Sequence, residues 1–457
     1  MKRKQISLCV CLLLAGCAVG PDYSTPDVSL ETQYVGGNAN TIGVENQQQQ
    51  WWRTYQDPLL IGLISRGLNQ NLDLQAAMER IDQAQANVRK TGLNSALDGS
   101  ASATVNKRGN SEISTTSGLT VGLDASFVID LFGGIQRGQE SAAASLASAQ
   151  ADVETVRLAW LAQIITTYSD ARFYQRAIEF TNENIKAREE TVKITQKQFD
   201  FGATTSYDLA LTKALLSTAQ AVLPEYVALY NANVFAISTL LDEPAQPIFD
   251  QMQNNVTQLG TPAPIDVGIP ADLLHNRPDI RSAEAMLAAA VANVGVAEAQ
   301  LYPSIALSGT LSETAGTSSW SFGPSIVLPI LNRGLLSANR DEAESLAKQS
   351  EINWRSAILS AVEDVQVAQS NLAQQRQRSI AFNEAAEFYT QAFTLAQENY
   401  RAGAITLLEL LDTDRSTASA RISSASAIND MAKAWATLQI ALGAGQKVTV
   451  EEPKPAE

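Results

Sequence analysis

Three carboxylates share a setting that admits chemistry. Asp208 follows Gly202 in the run Phe199-Asp-Phe-Gly-Ala-Thr-Thr-Ser-Tyr-Asp-Leu209, and Glu409 follows Gly403 at the same interval in Tyr400-Arg-Ala-Gly-Ala-Ile-Thr-Leu-Leu-Glu-Leu410. Asp412 stands one helical step past Glu409, on the same face. Carboxylates gathered in this way can exchange protons, attract cations or cap helices. Thr406-x-x-Glu409 has the spacing of a capping box and Thr205-x-x-Asp208 is close to one, whereas Asp412 has no such use.

Catalysis finds little else to work with. His275 is the single histidine, ahead of Arg277-Pro278. There is no glycine-rich phosphate loop before a helix, no cysteine–histidine cluster and no second histidine for a Ser/His/Asp arrangement or a zinc site. Paired acids could suggest glycoside hydrolysis, but these sit in turns of long alanine-rich helices without an aromatic sugar cleft. The chain reads as a non-enzyme, with no cofactor and no metal expected.

The two carboxylate runs are copies of each other. Phe199/Tyr400, Gly202/Gly403, Ala203/Ala404, Thr205/Thr406, Asp208/Glu409 and Leu209/Leu410 match on one offset, and Thr212/Thr413, Ala219/Ala420 and Leu241/Leu442 continue it. A tandem repeat makes the same helix-turn-helix unit the prediction for each half.

The start of the chain is an address. Lys2, Arg3 and Lys4 precede an apolar stretch, Ile6 to Leu14, which is too short to span a bilayer, and Leu14-Ala15-Gly16-Cys17 closes it. That ending resembles a bacterial lipobox. Residues 1–16 are then a lipoprotein signal peptide and Cys17 the acylated N-terminus, which supplies a membrane anchor. Cys9 and Cys11 leave with the signal, so neither a disulfide nor a free thiol is expected. Ala18 is not the aspartate associated with inner-membrane retention, which favours the outer membrane. The net charge of −15 becomes more negative still once the basic signal is removed, and argues against nucleic acid as a partner.

Only 6% of the chain is aromatic, which favours long helices packed through small side chains. Residues 17–57, rich in Pro, Gly, Asn and Gln, read as an extended segment on the surface. Residues 58–241 form a first repeat: an amphipathic helix from Pro58 that fades near Thr91-Gly92, a hairpin at about 99–131, a long helix, a turn at 199–206 and a descending helix. Residues 242–270, punctuated by five prolines, read as a connector wrapped around the helices. Residues 271–442 repeat the plan, with a hairpin at about 303–331 and a turn at 400–406, and 443–457 form a tail. Leu335 to Asn399 holds no proline and would reach roughly 100 Å as one helix.

The hairpins set the assembly. Apolar residues at 119, 121, 123, 125, 127 and 129 give one greasy strand face, and Trp320, Phe322, Tyr302 and Phe132 flank the strands as interface aromatics do. Four strands cannot close a barrel, and open edges in hydrocarbon cost several kcal/mol per unpaired group. Three chains and twelve strands are the smallest symmetric solution with a usable lumen. The competing reading is a soluble four-stranded sheet covered by its own helices.

Together, several motifs resemble the outer membrane factor family, in its TolC/OprM-like, NodT-type efflux lipoprotein branch. They are the lipobox with Gly20-Pro-Asp-Tyr23, Trp51-Trp52 before Asp57-Pro58-Leu59, Arg277-Pro-Asp-Ile280, Leu301-Tyr-Pro-Ser304 and the two glycine turns. The resemblance implies a mainly α fold with membrane β: a homotrimeric 12-stranded outer-membrane barrel, four strands per chain, continuous with a long periplasmic helical barrel. It implies the outer-membrane channel of a tripartite pump of the RND type, with a periplasmic adaptor, an inner-membrane transporter and outer-membrane lipid as partners. It places a periplasmic gate on Glu409, Asp412 and the first-repeat acid Asp208, and gives Tyr400 a bond across to that acid. The family's arginine two residues after the second turn glycine is Ile405 here, a departure from the pattern. Two other functions fit the same residues: a type I secretion duct for polypeptides, and a lipid-anchored periplasmic scaffold without a pore.

Overall fold

In a computed structural model, residues 18–31, 33–34, 50–109, 116–253, 257–260, 262, 270–314 and 316–445 are described. Cys17, the expected signal peptide, much of the first hairpin loop, Pro264 of the connector and most of the C-terminal tail lie outside the described residues. The chain forms two compact units, one of Met1–Ser29, Ala76–Val153 and Pro278–Leu359, the other of Leu30–Gln75, Glu154–Arg277 and Ser360–Glu457.

The first unit holds the sheet. β1 (Leu97–Arg108), β2 (Thr116–Ile129), β3 (Ser304–Thr314) and β4 (Thr317–Val327) pair antiparallel in the order β1-β2-β3-β4. The two hairpins, one from each repeat, thus join through β2 and β3. Register aligns like with like. Leu123 stands opposite Ala101 and Leu311, Leu311 opposite Trp320, and Phe127 opposite Leu97 and Leu307, all with one parity. The other parity places Ser100, Asp124, Thr310 and Ser321 in one row. Hydroxyls link across it, Thr310 to Ser321 at 2.8 Å and Ser312 to Ser319 at 2.8 Å. The apolar face is bare: Val105 is 75% and Trp320 79% exposed. That excludes, within this chain, a sheet covered by its own helices.

The helices are α1 (Pro58–Gln70), α2 (Leu72–Lys90), the short α3 (Leu93–Ala96), α4 (Gly134–Asp200), α5 (Ser206–Leu241), α6 (Ala245–Gln253), the short α7 (Leu273–Asn276), α8 (Pro278–Ala299), α9 (Arg333–Arg401) and α10 (Leu407–Ala441). The single helix expected from Pro58 to Thr91 is two. Asn71 breaks it by serving both ends: its backbone N–H donates to Gly67 at 2.9 Å, its Oδ1 accepts from Leu74 N at 3.0 Å, and its Nδ2 donates to the Leu240 carbonyl at 3.0 Å. The 67 and 69 residues of α4 and α9 would each span about 100 Å.

The second unit has one main core, and the last residues of the segment expected to lie extended on the surface supply its centre, whereas residues 18–31 have no helix or strand and no buried residue. Trp51–Tyr55 coil into a 3-10 turn in which Trp51 and Trp52 are buried. The Trp51 and Tyr55 rings pack edge-on against Trp435 at 5.4 and 5.0 Å, and the Tyr55 hydroxyl donates to the Ala432 carbonyl at 2.6 Å. The low aromatic content is therefore concentrated rather than absent. Asp57 caps α1 and accepts from the Tyr168 hydroxyl at 2.6 Å, which in turn accepts from the fully buried Arg172 at 2.8 Å. Gly67 lies so close to Trp160 that a Cβ there would come within 2.1 Å of the indole, so only glycine lets α1 approach. Part of the connector is helical, as α6, with Ile248 and Met252 entering this core.

Candidate functional site

The two turns are built alike. α4 and α9 end where Gly202 and Gly403 take φ of 71° and 74°, the left-handed conformation that a side chain disfavours. In the first turn Ala203 N donates to Gln198 O at 2.7 Å and Gly202 N to Phe199 O at 2.9 Å. In the second, Ala404 N donates to Asn399 O at 2.8 Å and Gly403 N to Tyr400 O at 3.0 Å. Each pair is a Schellman motif satisfying the last helical carbonyls.

The acids then start the descending helices. Thr205 Oγ1 accepts from Asp208 N at 3.1 Å while Asp208 Oδ2 accepts from Thr205 N at 3.2 Å; the Thr204 and Thr205 hydroxyls add donors at 2.9 and 2.7 Å. Glu409 forms the equivalent box with Thr406, at 3.3 and 2.8 Å. Both capping boxes foreshadowed by the sequence are complete. Their donors, those of Thr205 and Thr204 for Asp208 and of Thr406 for Glu409, hold each carboxyl below its ordinary value. The direction is opposite to the one that mutual repulsion in a ring of copies would impose. Asp412, on the exposed face, is not bare either: it pairs with Arg415 at 2.7 Å.

Tyr400 is buried, and its hydroxyl donates to Gln198 Oε1 at 2.7 Å. Its partner is thus Gln198 and not Asp208, whose carboxylate is taken up by its own cap. The ring belongs to an apolar cluster with Ala396, Leu407, Leu410 and Leu411, against which Ile405 and Phe393 pack. Ile405 therefore contributes an apolar contact to the Tyr400 cluster. At the tips, Phe201 is 87% exposed and Leu408 71%.

A buried network just above the turns escaped the sequence reading. Asp414, 3% exposed, accepts from Arg188 Nε at 2.8 Å and Asn184 Nδ2 at 2.8 Å, and Arg188 Nη1 donates to the Leu215 carbonyl at 2.7 Å. One guanidinium so ties α4, α5 and α10 together. Arg421 reinforces the contact, pairing with Glu183 and lying 4.0 Å over the Phe180 ring. These groups line a cavity of about 490 Å³ together with Tyr226 and Phe393.

Against known proteins, residues 63–242 and 269–444 match the model of the family described as outer membrane efflux protein. The chain belongs to that family. Among the relatives of this efflux protein, Nodulation protein T of Rhizobium leguminosarum bv. trifolii is 37% identical over 448 residues, 95% of this chain and 96% of that protein. The pyoverdine export outer membrane protein OpmQ of Pseudomonas aeruginosa is 30% identical over 91% of each chain. Among solved structures, the outer-membrane channel OprN superposes with a TM-score of 0.82 at 28% identity, covering 94% of this chain and all of that one. The open state of the MtrE outer membrane channel of Neisseria gonorrhoeae gives 0.79 at 26%, covering 94% and 99%. The efflux protein is accordingly a channel protein of the outer membrane and not an enzyme. Its mainly helical chain with a four-stranded antiparallel sheet is the fold of those channels.

Proposed function

We propose that three copies of this efflux protein pool their strands into a twelve-stranded barrel and serve as the exit duct of a tripartite, RND-type pump. One observation carries the reading: a four-stranded sheet with one apolar face and one hydroxyl-lined face, whose two outer strands, β1 and β4, each pair on one side only among the described residues. Such a sheet is unstable in lipid until its edges close on other copies. Support comes from α9, where Ile352, Leu359, Val367, Ile380, Phe388 and Leu395 are all more than half exposed, an apolar seam suited to a neighbouring copy.

In this reading Cys17 carries the acyl anchor, a periplasmic adaptor docks at the turns beside Phe201, and an inner-membrane transporter supplies the energy. Asp208, Glu409 and Asp412 from three copies line the periplasmic gate as anionic rings, with Tyr400 bracing the second turn from behind. Small toxic compounds are the cargo class, in keeping with the toluene and solvent efflux pump names of relatives at 28% identity. A polypeptide duct would use the same channel, and cargo choice rests with the transporter. The test is conductance of the purified mature protein in planar bilayers: discrete steps that grow when Asp208, Glu409 and Asp412 are changed to alanine are expected. A lipid-anchored scaffold would give no steps in any variant.

A further inference from the structure

The two descending helices are copies that differ at one level. On the offset that pairs Thr212 with Thr413, Pro224 of α5 answers to Ala425 of α10 and Tyr226 to Ala427, and both alanines are buried. Small side chains let α10 pack closely there. In α5 the same level carries the bulk of Tyr226 and a proline, which has no N–H to return to the Gln220 carbonyl and so interrupts the helical ladder. The cavity of about 490 Å³ beside Arg188 and Asp414 lies at this mismatch between the repeats.

Its size is that of a small-molecule site. Asn184 of α4, Tyr226 of α5, Phe393 of α9 and Asp414 of α10 all line it, so every wall comes from one chain. The charged side chains in the lining pair off, Arg188 with Asp414 at 2.8 Å and Arg421 with Glu183. An ion of either sign meets no excess of opposite charge. Burial pushes the Asp414 carboxyl above its ordinary value against the pull of Arg188, which marks this wall as poorly hydrated.

The hydroxyls decide which polarity is left over. Thr181 donates to Ala177 O at 2.8 Å, Thr218 to Ala214 O at 2.9 Å, Thr390 to Ala386 O at 2.6 Å and Thr394 to Thr390 O at 3.1 Å, each one helical turn back. With its hydrogen spent on the backbone, each of these oxygens has only lone pairs to offer. Such a wall recognises a donor. Phe393 and Tyr226 add aromatic surface, whereas the Phe180 ring is already covered by Arg421 at 4.0 Å and Arg176 at 4.2 Å.

We infer that the cavity between the repeats is a binding site for an uncharged aromatic molecule that carries a hydrogen-bond donor, an aryl amine or a phenol. The rings of the ligand pack with Phe393 and Tyr226, and its donor is met by threonine oxygens and the Asp414 carboxylate. Because one chain supplies the whole lining, the site stands apart from the reading of the protein as a three-copy duct.

Equilibrium dialysis of the full assembly in detergent against 1-naphthylamine, with protein-free micelles as the blank, tests the site. Binding of about one probe per chain above the blank is expected. Naphthalene, the same rings without a donor, is expected to bind about tenfold more weakly. Val222→Trp and Ala418→Leu fill the space from α5 and from α10, and each is expected to lower the binding of 1-naphthylamine at least about tenfold. A wild-type protein that binds no probe above the blank overturns the site, and so does a filled variant that assembles and binds as the wild type does. Equal binding of naphthalene and 1-naphthylamine overturns the donor-bearing class of ligand.

Discussion

Arg188 and Asp414 meet inside the helical unit at 2.8 Å, one from the ascending helix of the first repeat and the other from the descending helix of the second. The tie joins the two halves of a duplicated chain just above the turns that end them. Both side chains are nearly out of solvent, at 11% and 4%. Removing one partner leaves the other buried without a counter-charge, a loss of about 3–5 kcal/mol.

Thermal melts of the helical signal should therefore drop clearly for Arg188→Ala and for Asp414→Ala. The pair replaced together, as Arg188→Met with Asp414→Leu, should recover most of the loss, because apolar groups fill the site without an orphaned charge. Single variants that melt with the wild type would show the pair to be energetically silent.

Tyr400 and Gln198 supply a second test. Their hydrogen bond, 2.7 Å long and partly buried, is worth roughly 0.5–1.5 kcal/mol. A double-mutant cycle on channel opening should find coupling between Tyr400→Phe and Gln198→Ala, and additivity between Tyr400→Phe and Asp208→Ala. Coupling to Asp208 instead would restore the cross-repeat latch that the family resemblance implied.

The capped acids set a pH dependence. Asp208 and Glu409 are held below 3.8 and 4.5 by hydrogen bonds to their ionised forms. A depressed folded-state value means that the cap contribution is present above the ordinary value and is lost as pH falls through the lower, folded one. Cation selectivity, measured as a reversal potential across a salt gradient, should thus persist at pH 5 and fade only below the ordinary carboxylate range. Loss of selectivity already near pH 6 would mean that repulsion between copies outweighs the caps.

The sheet faces can be told apart by charge. Leu311 and Ser312 are neighbours on β3 with opposite parity, Leu311 opposite Trp320 and Ser312 opposite Ser319. Arginine at Leu311 should cost about 2–4 kcal/mol of barrel stability, and arginine at Ser312 far less. The yield of heat-resistant oligomer in outer-membrane fractions measures the difference, and equal yields would deny the apolar face its lipid.

Much of this was legible because it rests on local periodicity. Leu119 to Ile129 alternate at period two, Thr205/Asp208 and Thr406/Glu409 carry their own capping chemistry, and Gly202 and Gly403 announce a left-handed residue. The misreadings share a cause. Asn71 splits a helix because it finds the Leu240 carbonyl across the fold, and Trp51 is buried because Trp435 waits far along the chain. Polar composition just before them, Gln47 to Gln50, hid the burial of Trp51 and Trp52. Asp414 could have been suspected as the acid that breaks from the exposed face of Glu409 and Asp412, but its partner Arg188 is set by tertiary packing alone. Ile405 shows the converse, a departure visible in sequence whose apolar role only the packing around Tyr400 explains.

Separate copies must complete one another's sheet if the apolar face is to lie in lipid. Native mass spectrometry of the mature protein released from detergent measures this directly: a particle of three chains is expected, and a stable particle of one chain would refute the shared barrel.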